Sequence, residues 1–193
     1  MQCFAYFPSL VYREECPDWV AEVKNKTAPY LDEMREGCGF SVLQTNSMVN
    51  DPSLAFLRDA FFNASVGALK EQGYDLDRYD FFVNGMWGQE ISSEGEHTPH
   101  VHANTQMCGL YFLDTPKNGA YPVFKDPRFS KACMDLFPVP QSDITNATTD
   151  IHFDSVRPGS FLIFNSWLPH SISKNMAKDL TKFIHFTLTH REK

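Results

Sequence analysis

The spacing of apolar positions changes at about residue 79. Before it, apolar residues return at steps of three and four. After it, they gather in short runs separated by Gly, Pro, Asn and Asp. Cys16-Pro17-Asp18 opens a helix whose apolar face begins with Trp19, Val20 and Val23. Leu31 and Met34 continue that face past a kink expected at Pro29, and Gly37-Cys38-Gly39 is the expected stop. Asp51-Pro52-Ser53 opens a second helix, with proline placed where its missing N–H does no harm. Leu54, Leu57, Phe61, Ala64 and Ala68 hold helical spacing up to about Gly73. This second helix reads as a packing layer.

Residues 2–13 alternate loosely around Phe4, Tyr6 and Val11, with a break at Pro8-Ser9, and read as an edge strand or two short ones. Beyond residue 79 the runs predict strands at 80–90, 99–103, 107–113, 120–125, 151–157, 160–165, 170–174 and 181–190. Eight short strands after two helices predict a mainly β fold with flanking helices, a jelly roll. The helical support spans about 15–75 and the β core about 79–193 of a single domain, 1–193. Residues 126–150 form a long insert with a helical turn expected near Ser130–Leu136. Ordered segments of this length often act as lids or recognise substrate.

Composition narrows the function classes. With 42% apolar and 14% aromatic residues the chain is too apolar for disorder. A net charge of −7, without a basic run, argues against nucleic acid as a partner. The five cysteines are odd in number and include no C-x-x-C pair, which fits a reduced, cytoplasmic setting. No leader pattern opens the chain, and no apolar run has membrane-spanning length, so no membrane association is expected.

The candidate chemistry lies in the histidines. His100 and His102 flank Val101; on an extended strand both imidazoles would face one side, with Val101 packed behind. His170 follows the distant apolar strand Phe161–Asn165. Two histidines on one strand and a third after another can build a metal centre at the mouth of a β-barrel. His97, three residues before His100, is expected to face away. His152 and His190 read as hydrogen-bonded strand histidines, and His185 is the later one that can face a pocket. Trp87 and Trp167 are expected in core or rim, and Asn165-Ser166 as the turn that positions His170.

Three stretches carry a resemblance: HVHANTQMCGLYFLD, RPGSFLIFNSWLPHSISKN and YFPSLVY. Together they resemble the phage and bacterial group of 2-oxoglutarate/iron(II) oxygenases, within the prolyl-hydroxylase-like superfamily. The resemblance covers most of the chain, most clearly from about residue 80, and the S-W-L-P-H turn is its most specific part. It implies a double-stranded β-helix and an Fe(II)- and 2-oxoglutarate-dependent dioxygenase, such as a hydroxylase, using O₂ as cosubstrate. A phage-encoded member would work in the host cytoplasm. Superfamily members usually pair H-x-D or H-x-E with a distal histidine. Here His100 and His170 match the histidines, and His102 occupies the carboxylate position. Either three imidazoles hold the ion, or His102 stands behind it and a carboxylate or water takes the third place.

The resemblance also implies a cation for the far carboxylate of 2-oxoglutarate. The usual arginine position falls on Thr181, and Lys182 is next to it. A one-residue slip or bulge would be needed to turn Lys182 inward. Tyr111 is the expected assisting tyrosine, with Phe112 where relatives carry a second one. Lys125 and Arg128 are reserve cations. Asn104 either bonds the cosubstrate or shapes a turn. Two rival readings remain: a three-histidine, cupin-like metalloenzyme that does not use 2-oxoglutarate, and a non-catalytic jelly-roll binding module. Residue types alone specify no primary substrate.

Overall fold

The structure is a computed structural model and describes residues 1–2, 7–35, 41–134, 136–137, 139 and 147–193. Phe4, Tyr6, the expected stop at Gly37-Cys38-Gly39 and part of the 126–150 insert lie outside the described residues. In chain order the elements are β1 (Val11–Glu15), α1 (Val20–Arg35), β2 (Val42–Gln44), α2 (Ala55–Glu71), β3 (Tyr79–Ile91), β4 (His97–His100), β5 (Met107–Asp114), β6 (Pro122–Lys125), β7 (Asp150–His152), β8 (Ser160–Asn165), β9 (His170–Ile172) and β10 (Thr181–Glu192). Short 3₁₀ turns at Pro17–Trp19 and Pro52–Leu54 precede the two α-helices, and a third spans Phe129–Cys133. The second of these is capped by Asp51, whose Oδ1 accepts the Ser53 N–H at 2.8 Å.

The strands form two antiparallel sheets. The larger has the order β1-β8-β5-β10-β3-β2 and the smaller β4-β9-β6-β7. The larger sheet is apolar on both faces, so its central strands read as unbroken apolar runs. On one face Phe161, Ile163, Ile184, Phe186 and Tyr111 pack under α1 and α2 with Phe61 and Leu57. On the other, Leu110, Phe112, Leu162, Phe164 and Phe183 meet Phe124 and Ile172 of the smaller sheet. This second layer is the interior of the jelly roll, and the histidines lie along its edge.

Helix α1 runs from Val20 to Arg35 with Pro29 inside it. Strand β2 was not visible in the sequence: three residues held by pairing with Ile91, Glu90 and Gln89 are too short to show an alternation.

Candidate metal centre

Strand β4 ends at His100, two residues before His102. Four residues of β4, His97 to His100, face three of β9, Ile172 to His170, so one extra residue is absorbed as a bulge. Pro99, which cannot donate to a ladder, lies inside this irregular stretch. The bulge corrects two expectations. His97 does not face away from His100, since their ring centroids are 4.3 Å apart. Val101 does not pack behind the pair, being 51% exposed.

The rings nevertheless converge. His100 lies 4.9 Å from His102 and 4.5 Å from His170, and His102 lies 5.2 Å from His170, centroid to centroid. One nitrogen from each lies within 4.8 Å of the other two. The loop holding His102 is laced to the turn before His170. The His102 N–H donates to Ser166 O, the Ser166 hydroxyl to Thr105 O at 2.6 Å, and the Ser166 N–H to Gln106 O. Leu168 N–H closes the turn on Asn165 O. Asn165-Ser166 therefore positions both histidines.

The ring nitrogens show which lone pairs are free. His100 Nδ1 is 2.8 Å from Thr98 O, and His170 Nδ1 is 2.9 Å from Leu168 O. A carbonyl oxygen can only accept, so each Nδ1 carries the hydrogen and each Nε2 offers its lone pair, the arrangement metal-bound histidines need. The Nε2 atoms of His102 and His170 are buried without a partner. Burial holds the His170 imidazole down to about 3 and that of His102 to about 4, with the neighbouring histidines adding to the effect. Both are neutral at neutral pH. A divalent ion fits this donor set, since the buried Nε2 atoms of His102 and His170 have no other partner and His100 Nε2 offers its lone pair beside them.

The expected cosubstrate anchors divide between the two faces of the large sheet. Lys182 shares a face with Ile184 and Phe186, under the helices. Its Nζ lies 3.3 Å from Glu90 Oε1 and 3.9 Å from Asp114 Oδ2. Helix α1 joins this network through Arg35, which bonds Glu90, and Lys24, which bonds Asp114 at 2.6 Å. Tyr111 is on the helix side as well, its hydroxyl donating to Cys16 O at 2.8 Å. Neither reaches the interior, because the register that turns His185 inward turns Lys182 and Tyr111 outward. The pairing of Lys182 with β3 stays in step from Thr181 to Thr187, and the register shift against β5 between Lys182 and Phe183 leaves Lys182 on the helix side.

Thr181 does face inward. It is fully buried, and its hydroxyl oxygen accepts the Ala120 N–H at 2.9 Å. Asn104 lies in an exposed turn at φ 59°, its carbonyl accepting from the Thr189 hydroxyl, so its backbone does the work expected of a turn residue. Lys125 pairs with Asp150 at 3.6 Å and Arg128 with Asp126 at 2.8 Å, both around the insert. The Arg128 and Lys131 bonds hold the Asp126 carboxyl well below the usual range. The metal donors thus fit their ion, whereas the expected cations do not line the interior: Lys182 lies on the helix side of the sheet, and Lys125 and Arg128 are paired around the insert.

His185, the later histidine expected to be able to face a pocket, does point to the interior. It is 4% exposed, stacks on Trp87 with centroids 4.4 Å apart and planes 12° from parallel, and lies 4.7 Å from His102. Gly85 makes room for this stack: a side chain there would meet the indole at 2.6 Å. The alternation of β10, with Phe183 and His185 on one face, turns His185 inward.

An antiparallel jelly roll with a histidine centre at its edge defines a metalloprotein of the double-stranded β-helix class. The family model described as "Putative 2OG-Fe(II) oxygenase" matches residues 85–185, and the chain belongs to that family. It is accordingly an Fe(II)- and 2-oxoglutarate-dependent oxygenase.

Solved structures share the fold at low identity. A prolyl-4-hydroxylase from Pseudomonas putida superposes with TM-score 0.63 at 10% identity, over 95% of this chain and 94% of that one. The α-ketoglutarate-dependent epimerase SnoN of nogalamycin biosynthesis gives TM-score 0.63 at 12% identity, over 94% and 76%. HygX from Streptomyces hygroscopicus, with nickel and 2-oxoglutarate bound, gives 0.57 at 12%, over 94% and 83%. No curated protein matches the sequence. No helix among the described residues is long and apolar enough to cross a membrane.

Proposed function

We propose that His100, His102 and His170 hold the Fe(II) of this oxygenase, with His102 in the place where relatives carry a carboxylate, and that the enzyme hydroxylates a C–H bond. The observation that carries this reading is that the Nδ1 atoms of His100 and His170 are tethered to backbone carbonyls while the Nε2 atoms of His102 and His170 are buried without a partner. Iron and 2-oxoglutarate, when bound, supply the oxidising chemistry. The chain's own residues fix the ligand rings through Thr98, Leu168 and Ser166, and keep water from the inner side with Phe124, Phe164 and Trp87. Three imidazoles leave the site one negative charge poorer than the usual triad, which favours an anionic cosubstrate.

Thr181 is the expected anchor that faces the interior. With Gln89, which is buried on the same face of β3, it would give the far carboxylate neutral hydrogen bonds in place of an ion pair. The 126–150 insert is the proposed substrate-recognition segment. It leaves and re-enters beside the metal centre, where Lys125 N–H donates to Pro169 O and Asp126 N–H to Thr149 O. Residues 1–193 would act as one domain, in a cytoplasm that keeps Cys16, Cys108 and Cys133 as free thiols.

Anaerobic titration of the iron-loaded protein with 2-oxoglutarate tests the proposal. A visible charge-transfer band that saturates with 2-oxoglutarate supports it. Stoichiometric iron without that band would favour a three-histidine enzyme with another cosubstrate.

A further inference from the structure

The geometry points to a second metal-binding set on the inner side of the first, made of His102, Cys108 and His185, that takes a thiophilic divalent ion such as zinc and competes with the iron set for His102. One donor atom from each of the three residues lies within 4.8 Å of the others. Cys108 and His185 are diagonal neighbours on the interior face: Cys108 of β5 lies opposite Thr187 of β10, two residues beyond His185. Cys108 is fully buried and His185 nearly so.

His185 is the observation that asks for a ligand. Both its ring nitrogens are buried, and neither has a hydrogen-bond partner. A buried imidazole must carry one N–H and one lone pair, and leaving both unsatisfied is costly. The Trp87 stack fixes the plane of the ring and leaves its edge, where the nitrogens are, open. A metal on one nitrogen turns that cost into a bond.

The chemistry of this set differs from that of the iron set. Two imidazoles and a sulfur select zinc or copper over iron, whereas His100, His102 and His170 offer nitrogen only. Tetrahedral zinc wants such donors about 3.3–3.6 Å apart, so a pair standing at the 4.8 Å limit would close by about 1 Å. As the ion binds, the Cys108 thiol gives its proton to solvent and the sulfur–metal bond forms; no electron is transferred. His102 belongs to both sets, so an ion in the inner one takes a ligand from the outer one. Zinc would then act as an inhibitor that works by removing an iron ligand.

The test uses Co(II), a spectroscopic stand-in for zinc, on the reduced, metal-free full chain. The wild type should give a near-ultraviolet thiolate-to-cobalt charge-transfer band, which zinc abolishes by displacement. Cys108→Ser should lose the band. His185→Gln should weaken cobalt binding by about tenfold or more. His170→Ala, which removes a ligand of the outer set only, should keep the band, so this inference and the iron assignment fail separately. A folded wild type without a thiolate band at saturating Co(II) would overturn the inner set, as would a band that persists in Cys108→Ser. The wild-type spectrum decides even if the Cys108 variant fails to fold.

Discussion

Lys182 Nζ lies 3.3 Å from Glu90 Oε1, on the side of the large sheet that carries the helices. Glu90 is 3% exposed and is also held by Arg35 of α1. The lysine next to the expected anchor position therefore fastens a helix to the sheet. Lys182→Ala should leave 2-oxoglutarate affinity within about twofold and lower unfolding free energy by about 1–3 kcal/mol, the cost of a hydrogen bond to a charged group. Isothermal titration and urea melts separate the two effects. A large loss of cosubstrate affinity with unchanged stability would contradict the assignment.

Thr181 carries the opposite expectation. Thr181→Val removes the hydroxyl while keeping the shape, so 2-oxoglutarate should bind about tenfold more weakly, and Thr181→Ser should restore most of the affinity. Iron content should be unchanged in both. If the valine variant binds 2-oxoglutarate as the wild type does, the far carboxylate lies elsewhere.

The buried imidazoles predict a pH dependence for the metal-free protein. Unfolded, each takes up a proton near 6.5; folded, burial holds His170 to about 3 and His102 to about 4. Between those values the unfolded chain binds more protons, so stability is full above about 6.5 and falls as the pH drops. The slope approaches about 1.4 kcal/mol per pH unit for each imidazole. Urea melts at pH 7, 6 and 5 should show the decline, and His170→Gln should flatten it. A flat wild-type profile would show that the folded histidines protonate normally.

His102→Asp tests whether the third donor must be an imidazole. Aspartate restores the commoner two-histidine, one-carboxylate set, so iron should remain bound at one per chain. Metal analysis after anaerobic loading reads the outcome. Loss of iron would mean that the reach of an imidazole from this loop matters more than the charge of the ligand.

Much of the fold was legible because the period change at residue 79 is physical: helices pack one stripe, strands bury two faces. The runs at 107–113 and 160–165 became β5 and β8 for that reason. The grouping of His100, His102 and His170 was legible too, from a histidine pair and a distant turn. What the sequence concealed depends on facing. A bulge around Pro99 ends β4 at His100 and swings His97 beside it. Lys182 and Thr181 are adjacent in sequence and lie on opposite faces, so only the register of β10 against β3 separates the ion-pair residue from the inward one. Cys108 and His185 come together only because β5 and β10 are neighbours.

The central claim is that three imidazoles hold one iron, and metal stoichiometry tests it most directly. Wild type, His100→Ala and His170→Ala should be loaded with Fe(II) without oxygen, desalted and assayed for iron, with circular dichroism to verify folding. One iron per chain is expected in the wild type, and essentially none in either folded variant. Stoichiometric iron in folded His170→Ala or His100→Ala would contradict the account.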